Sequence, residues 1–251
     1  GVTKDYVRRL SVVLADGSVT TVGRPTAKGV AGLDLAGLFV GSEGTLGVVV
    51  EIVVDLIPAI PDPITGVALF DDIRAAARTI TDFMSSGVTP SLLEILDGTS
   101  IECINDYGDF GLPEGAAAML LVQSNGDGTL ERAAADLAEF ERIAHAQGAT
   151  EVTISDDPED SEMFIAARRS VGHALEKYAM AHGGGELVDD VCLPRKSLDE
   201  FFARMRQIAQ EFDVLVAVAG HAGDGNMHPN VLFDAGDPES VARAQAAFDA
   251  I

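Results

Sequence analysis

The sequence predicts an α+β protein in which a short leading part precedes a ferredoxin-like α/β sandwich with a mainly antiparallel sheet. From Gly66 onward, short apolar strands alternate with helical stretches, and polar loops such as SNGDGT separate them. Before that point, Pro58, Pro61 and Pro63 interrupt the pattern and are typical of a linker. We therefore expect two domains, residues 1–58 and residues 59–251.

The pattern of residues 1–58 predicts β structure. Residues 6–22 contain two runs of apolar and β-branched residues around Asp16-Gly17, which is a strong hairpin signal. Further on, the glycine-rich turn GSEGTLG feeds a nearly continuous apolar strand from Val48 to Ile57.

The second part is predicted to place its helices on one face of the sheet. Strands are expected at Gly66–Phe70, Leu92–Leu96, Ala118–Gln123, Glu151–Ile154, Leu187–Leu193, Val214–Ala219 and Asn230–Phe233. Helices are expected at about Asp72–Ser86, Thr129–Gln147, Ser161–Ala181 and Ser197–Phe212, and PESVARAQAAFDAI continues as a helical pattern. Two ferredoxin-like halves are compatible with this order, although the residues alone do not show a duplication.

The composition argues against several classes of function. The chain has 251 residues and a net charge of −23, from 40 acidic against 17 basic residues, which disfavours a nucleic-acid partner. No apolar run approaches the length of a membrane-spanning helix. Cys103 and Cys192 are far apart and are predicted to be free, buried and in a reducing compartment, which favours a cytoplasmic location.

The segment GHAGDGNMHPN, residues 220–230, contains His221 and His228 around Asp224-Gly225. A two-residue type I′ turn at Asp224-Gly225 would place the two histidines directly opposite each other on one face of a hairpin, whereas a loop of four or five residues would shift this pairing. Asn230 would share that face. Two imidazoles at this distance can bind one divalent metal such as zinc. The alternative is a stacked or hydrogen-bonded pair with no metal.

The segment GSEGTLG, Gly41 to Gly47, has the spacing GxxGxxG and precedes a strand, so it is neither a dinucleotide fingerprint nor a phosphate loop. Its glycines permit positive φ angles and leave backbone N–H groups open to a ligand. The alternative is a tight turn that binds nothing.

Arg168 and Arg169 are adjacent within the helical stretch MFIAARRSVGHAL. Neighbouring positions on a helix lie ~100° apart, so only one of the two can face a pocket squarely. A guanidinium can hold a carboxylate through two parallel hydrogen bonds, whereas an exposed basic pair would have no such role.

These motifs together resemble the FAD-dependent D-2-hydroxyacid dehydrogenases, a family of vanillyl-alcohol-oxidase-type flavoproteins that includes D-lactate and D-2-hydroxyglutarate dehydrogenases and the glycolate oxidase flavin subunit. The resemblance implies the rear part of an FAD domain followed by a substrate (cap) domain. It implies that His221 and His228 bind a divalent metal, with zinc preferred and manganese or iron as alternatives. It further implies that Arg168 holds the substrate carboxylate and that Asn230 lies near substrate and metal. The implied FAD neighbours are Gly41, Ser42, Glu43, Gly44, Gly47 and Val48.

The chain departs from the family pattern at several points. Ile165 stands where the family often has Trp, and Val188 stands where some members have a substrate-binding Lys, which argues against a dicarboxylate substrate. The family's GEHG segment, with a third metal ligand, does not occur before Ile251, and the upstream glycine-rich pyrophosphate loop is expected before Gly1. We therefore expect residues 1–251 to be inactive alone.

The function expected from the resemblance is oxidation of a D-2-hydroxyacid, such as D-lactate or glycolate, to the 2-oxoacid, with hydride transfer to FAD. The expected partners are this small substrate and an electron-accepting protein or quinone, with a homodimer as a further expectation. Peripheral association with the inner membrane is the alternative to a purely cytoplasmic location. The competing functions are a non-catalytic flavoprotein subunit of an oxidase complex and a metal-dependent hydrolase.

Overall fold

The computed structural model describes residues 3–57, 59 and 62–251. The chain divides into two compact units, Gly1–Ala59 and Ile60–Ile251. Pro58 and Pro61, from the predicted linker, lie outside the described residues.

The first unit is a three-stranded antiparallel sheet in the order β2-β1-β3. Its elements are β1 (Val7–Val13), β2 (Val19–Gly23), a short helix α1 (Leu35–Phe39) and β3 (Val48–Val54). The hairpin predicted around Asp16-Gly17 is confirmed: Val13 pairs with Val19, and Gly17 adopts a φ of 82° in the turn. A small core forms from Leu10, Val12, Val22 and Ala36.

The second unit is built on an eight-stranded antiparallel sheet. Its strands are β4 (Ile64–Phe70), β5 (Leu92–Asp97), β6 (Ala118–Ser124), β7 (Glu151–Ser155), β8 (Gly184–Val188), β9 (Val191–Cys192), β10 (Leu215–His221) and β11 (Asn226–Asp234). Its helices are α2 (Ile73–Ser85), α3 (Gly98–Tyr107), α4 (Leu130–Gln147), α5 (Pro158–Arg169), α6 (Val171–Ala181), α7 (Leu198–Phe212) and α8 (Pro238–Asp249). The strand order is β7-β4-β6-β5-β10-β11-β8, with β9 pairing to β11.

The strand order shows two ferredoxin-like halves. In the first half the chain order β4-α2-β5-β6-α4-β7 gives the spatial order β7-β4-β6-β5. In the second half β8-α7-β10-β11-α8 gives β10-β11-β8, the same arrangement of its first three strands. Strands β5 and β10, which are equivalent in the two halves, join them in one sheet.

The prediction that the helices cover one face is wrong. Alternate residues of β6 belong to different cores: Leu120 packs with α2, α4, α7 and α8, whereas Leu121 packs with α3, α5 and α6. Every residue of β4 is buried, so both faces of the sheet must be covered. Helix α3 has a polar start at Gly98 and lacks a strong apolar pattern, which is why it was not predicted.

Two predicted elements are each divided in the structure. The helix expected over Ser161–Ala181 is the pair α5 and α6, separated at Ser170. The Ser170 hydroxyl donates to the Ala167 carbonyl at 2.8 Å, a contact that bends helices. The strand expected at Leu187–Leu193 is divided into β8 and β9.

Asp97, at the end of β5, caps α3 and bridges to β10. Its carboxylate accepts hydrogen bonds from the N–H groups of Ser100 and Val218, each at 2.8 Å. Burial nevertheless raises its pKa from 3.8 to about 6. The folded protein therefore holds this proton more tightly than the unfolded chain does.

The raised pKa of Asp97 predicts a pH dependence of stability. The contribution of Asp97 to stability is greatest below about pH 4 and is lost as the pH rises through about 6. We expect the free energy of unfolding of the wild type, minus that of Asp97→Asn, to fall by about 3 kcal/mol in total from well below pH 4 to well above pH 6. Urea unfolding of both proteins across this range measures the difference. A difference that stays flat, or that increases with pH, would contradict the assignment.

Candidate active site

The histidine hairpin is formed by β10 and β11, but its register differs from the prediction. His221 pairs with Asn226, and Ala219 pairs with His228, so residues 222–225 form a four-residue turn. The predicted type I′ turn with His221 directly opposite His228 is therefore wrong. Contacts with neighbouring segments account for the wider turn, because Gly223 N–H donates to Leu93 O at 3.1 Å and Gly225 O accepts from Leu193 N–H at 2.8 Å.

The two histidines nevertheless lie on the same face. The register moves by two residues relative to the prediction, which preserves the alternation of side chains and makes the histidines diagonal neighbours. Their ring centroids are 5.3 Å apart, and the rings are nearly perpendicular at 88°. The imidazoles are therefore close enough to converge on one ligand.

A buried glutamate that the sequence analysis did not select connects this hairpin to α5. Glu94 of β5 is only 6% exposed. Its Oε1 lies 2.7 Å from His221 Nδ1, and its Oε2 accepts a hydrogen bond from Arg168 Nε at 2.7 Å. The available signal was an acidic residue in the middle of the apolar strand LLEILD, since a buried carboxylate requires a partner.

Arg168 and Arg169 have different surroundings at the end of α5. Asp157 caps the start of the helix, and Pro158 is its first residue. The side chain of Arg168 is 19% exposed and is paired with Glu94, whereas that of Arg169 is 71% exposed and pairs with Glu162 at 3.3 Å. The structure thus places Arg168, the predicted residue of the two, next to the histidine hairpin.

His228 and Asn230 lie further along β11. His228 Nδ1 is 3.3 Å from Asp190 Oδ1, and burial lowers the pKa of His228, which favours the neutral imidazole. Asn230 is 5% exposed, and its amide donates to the His228 carbonyl at 2.8 Å. Asn230 therefore stabilises the backbone at His228, and its predicted contact with substrate stays a prediction.

A cavity of about 500 Å³ lies beside these residues within the second unit. Its lining includes Leu92, Glu94, Gln123, Ser161, Ile165, Arg168 and His221. This size suits a small organic ligand.

The glycine-rich loop belongs to the first unit. The six predicted FAD neighbours (Gly41, Ser42, Glu43, Gly44, Gly47 and Val48) all line one cavity of about 370 Å³. The φ angles of Gly41, Glu43 and Gly44 are 87°, 51° and 78°. The N–H groups of these three residues donate to no protein acceptor among the described residues, which leaves them available to a ligand. Gly47 has a different reason to be glycine: a Cβ there would lie 2.8 Å from Val13 O.

Three further observations bear on ligands and location. In residues 3–57, 59 and 62–251, no group of three or more His, Cys, Asp or Glu side chains is placed to hold a metal. None of the described helices is both long and apolar enough to cross a membrane. Both cysteines are free, as predicted; Cys103 is buried, but Cys192 is exposed at the end of a short edge strand, which corrects its predicted burial.

Comparison with known proteins identifies the family. Residues 62–251 match the family of FAD linked oxidases, C-terminal domain. The chain is 38% identical over 248 residues to glycolate oxidase subunit GlcD of Bacillus subtilis, covering 99% of this chain and 52% of that protein. It is 31% identical over 245 residues to the mitochondrial D-lactate dehydrogenase [cytochrome] of Arabidopsis thaliana, covering 98% and 42%.

The chain belongs to the FAD-linked oxidases, and the relatives named above support membership of the D-2-hydroxyacid dehydrogenase group. It spans about half the length of the curated relatives it matches. Among solved structures, p-cresol methylhydroxylase aligns with a TM-score of 0.70 at 16% identity, covering 98% of this chain and 54% of that one. Alkyldihydroxyacetonephosphate synthase aligns with a TM-score of 0.65, covering 99% and 50%. The predicted α+β fold of the vanillyl-alcohol-oxidase type is confirmed.

Proposed function

We propose that the whole protein is an FAD-dependent dehydrogenase that oxidises a small D-2-hydroxyacid, D-lactate or glycolate-like, to the 2-oxoacid with the help of a divalent metal. The observation that carries this proposal is the buried Glu94, which holds Arg168 and His221 beside one cavity. Arg168 and His221 line this cavity, and His228 lies beside His221, so these residues provide groups for the carboxylate and the hydroxyl of such a substrate.

The histidines fit a metal chemically. The Glu94 carboxylate accepts a hydrogen bond from His221 Nδ1, and the Asp190 carboxylate lies within reach of His228 Nδ1. A carboxylate at Nδ1 leaves the Nε2 lone pair free, and this arrangement is typical of histidines that bind metals. Zinc suits imidazole ligands, with manganese or iron as alternatives. The described residues provide two ligands, so we expect a further ligand from substrate, water or another segment.

The net charge of the cavity lining also favours the binding of a cation. Its charged lining comprises three carboxylates, Asp62, Glu94 and Glu162, and two guanidinium groups, Arg168 and Arg169. With neutral imidazoles this lining is net negative and would repel an anionic substrate. A divalent ion at His221 and His228 would reverse the sign and attract it.

Arg168 remains able to grip a carboxylate although it is paired. Its hydrogen bond to Glu94 uses Nε, and among the described residues its two Nη groups have no hydrogen-bond partner. The Nη groups form one edge of the planar guanidinium, which matches the two oxygens of a carboxylate. Glu94 thus orients this edge, and Arg168 orients the substrate.

The chemistry follows from these positions. A bound metal would polarise the substrate hydroxyl and ease the loss of its proton to solvent, and bound FAD would supply the acceptor for the hydride from Cα. The chain's own residues hold the substrate at its carboxylate through Arg168 and position its hydroxyl beside His221 and His228. The loop from Gly41 to Gly47 offers N–H groups to the FAD nucleotide, with Glu43 facing a ribose or bracing the turn.

We further propose that residues 1–58 are the rear part of the FAD domain and residues 59–251 the cap domain. The name "subunit" in the relatives of this chain supports transfer of electrons to a partner protein or a quinone. The proposal also includes that the protein forms a homodimer. It is located in the cytoplasm, with peripheral contact with the inner membrane as the alternative. The match to an FAD-linked oxidase family leaves the hydrolase alternative without support.

Anaerobic mixing of the whole protein with D-lactate or glycolate tests the proposed activity. We expect the visible absorption of the flavin to bleach with one of these acids, and L-lactate to serve as the unreactive control. Flavin that dithionite reduces but that neither acid bleaches would contradict the proposal.

A further inference from the structure

Glu94 occupies a position from which one side chain reaches both halves of the proposed site. We propose that Glu94, anchored by Arg168, is a positioning residue that selects the Nδ1–H tautomer of His221 and so keeps Nε2 free to bind metal. This inference rests on the proposed function, because a free Nε2 matters only if His221 binds a ligand there.

The carboxylate of Glu94 is held from both sides. The Glu94 side chain is 8% exposed, and its two oxygens are engaged by different partners at 2.7 Å. Leaving a buried charge without such partners would be strongly destabilising. The orientation of Glu94 is therefore fixed by the fold, through His221 of β10 on one side and Arg168 of α5 on the other.

The chemistry of the two partners determines the tautomer. An ionised carboxylate only accepts hydrogen bonds, so His221 must donate from Nδ1, and a neutral imidazole then has its lone pair at Nε2. The His221 side chain is 47% exposed, and among the described residues Glu94 is the hydrogen-bond partner of its ring. Glu94 therefore selects the tautomer.

Replacement of Glu94 by Gln should reverse the tautomer. The Arg168 Nε–H is a permanent donor, so the amide oxygen of Gln must face Arg168. The amide N–H₂ then faces His221 Nδ1, which can adapt only by becoming an acceptor. The proton moves to Nε2, where it competes with the metal and weakens metal binding.

The experiment uses the whole protein labelled with ¹⁵N and kept free of metal. Long-range ¹⁵N–¹H spectra should show His221 as the Nδ1–H tautomer in the wild type and as the Nε2–H tautomer in Glu94→Gln. Calorimetric titration with Zn²⁺ should show affinity about 10- to 100-fold weaker in Glu94→Gln. Assignment of the His221 signals comes from their loss in His221→Ala.

Glu139→Gln is the matched control. Glu139 also pairs with an arginine, because it accepts hydrogen bonds from Arg142 Nε and Nη2 at 2.8 and 2.7 Å. It lies on α4, a helix that packs on the face of the sheet opposite to α5. This variant removes a carboxylate from an ion pair without altering His221. We expect its tautomer and its Zn²⁺ affinity to match the wild type.

A wild-type His221 in the Nε2–H form, or an unchanged tautomer in Glu94→Gln, would overturn the inference. If Glu94→Gln does not fold, as judged by circular dichroism, the wild-type tautomer alone decides. If the tautomer switches as expected but the wild type binds no Zn²⁺, the proposed metal function is wrong and the positioning of His221 by Glu94 stands. The two failures are thus distinguishable.

Discussion

Replacing His221 and His228 together by Ala in the whole protein is expected to abolish metal binding and to lower turnover of D-lactate by at least roughly 100-fold. Loss of a carboxylate partner of a metal-bound histidine commonly costs ~10- to 100-fold, and loss of the ligands themselves costs more. The double variant removes both Nε2 ligands, so the hydroxyl of the substrate is no longer polarised. Metal content by elemental analysis and steady-state kinetics measure the two effects.

His145→Ala serves as the control for this variant. His145 is 53% exposed on α4, so its loss removes an imidazole far from the cavity lining. We expect its metal content and turnover to equal those of the wild type. Retention of metal and turnover in the double variant would show that the hairpin is not the metal site.

Arg168→Met is expected to lower kcat/KM for a D-2-hydroxyacid by at least roughly 100-fold. Charge-assisted hydrogen bonds contribute about 1.5–3 kcal/mol each, and two of them would join Arg168 to the carboxylate. We expect the loss to appear mainly as a raised KM, because the carboxylate is bound equally in the ground state and the transition state. Steady-state kinetics with D-lactate measure this division.

Arg169→Met and Arg168→Lys refine the test of the arginine. Arg169 is largely exposed and pairs only with Glu162 among the described residues, so we expect an effect of about twofold or less. Lysine keeps the charge but loses the planar edge, so Arg168→Lys should recover activity only in part. Equal effects of Arg168→Met and Arg169→Met would argue against a specific carboxylate contact.

The sequence led to the correct face of the hairpin but to the wrong register, because the register differs from the predicted one by an even number of residues. The Asp224-Gly225 signal indicated a turn, but local preference could not include the contacts that Leu93 and Leu193 make with the turn. Those contacts widen it to four residues, and an even change in loop length leaves His221 and His228 on the same side. The convergence of the two side chains was therefore predictable, and their pairing was not.

Glu94 is a residue of the proposed site that local sequence patterns could not predict. Resemblance to the family's helix motif selected Arg168, and the turn motif selected His221, because each motif is local in the sequence. Glu94 is separated from Arg168 by 74 positions and from His221 by 127, and only the pairing of β5 with β10 brings it between them. The two helix layers were missed for a similar reason, since burial on both faces of β4 depends on the assembled sheet.

Anomalous X-ray diffraction at the zinc edge, on crystals of the whole protein grown with Zn²⁺, shows whether the histidine hairpin binds a metal. We expect one strong peak within bonding distance, about 2.1 Å, of Nε2 of both His221 and His228. We also expect Nδ1 of His221 to keep its hydrogen bond to Glu94. A hairpin without a peak, in a protein that oxidises D-lactate, would show that His221 and His228 do not bind the metal.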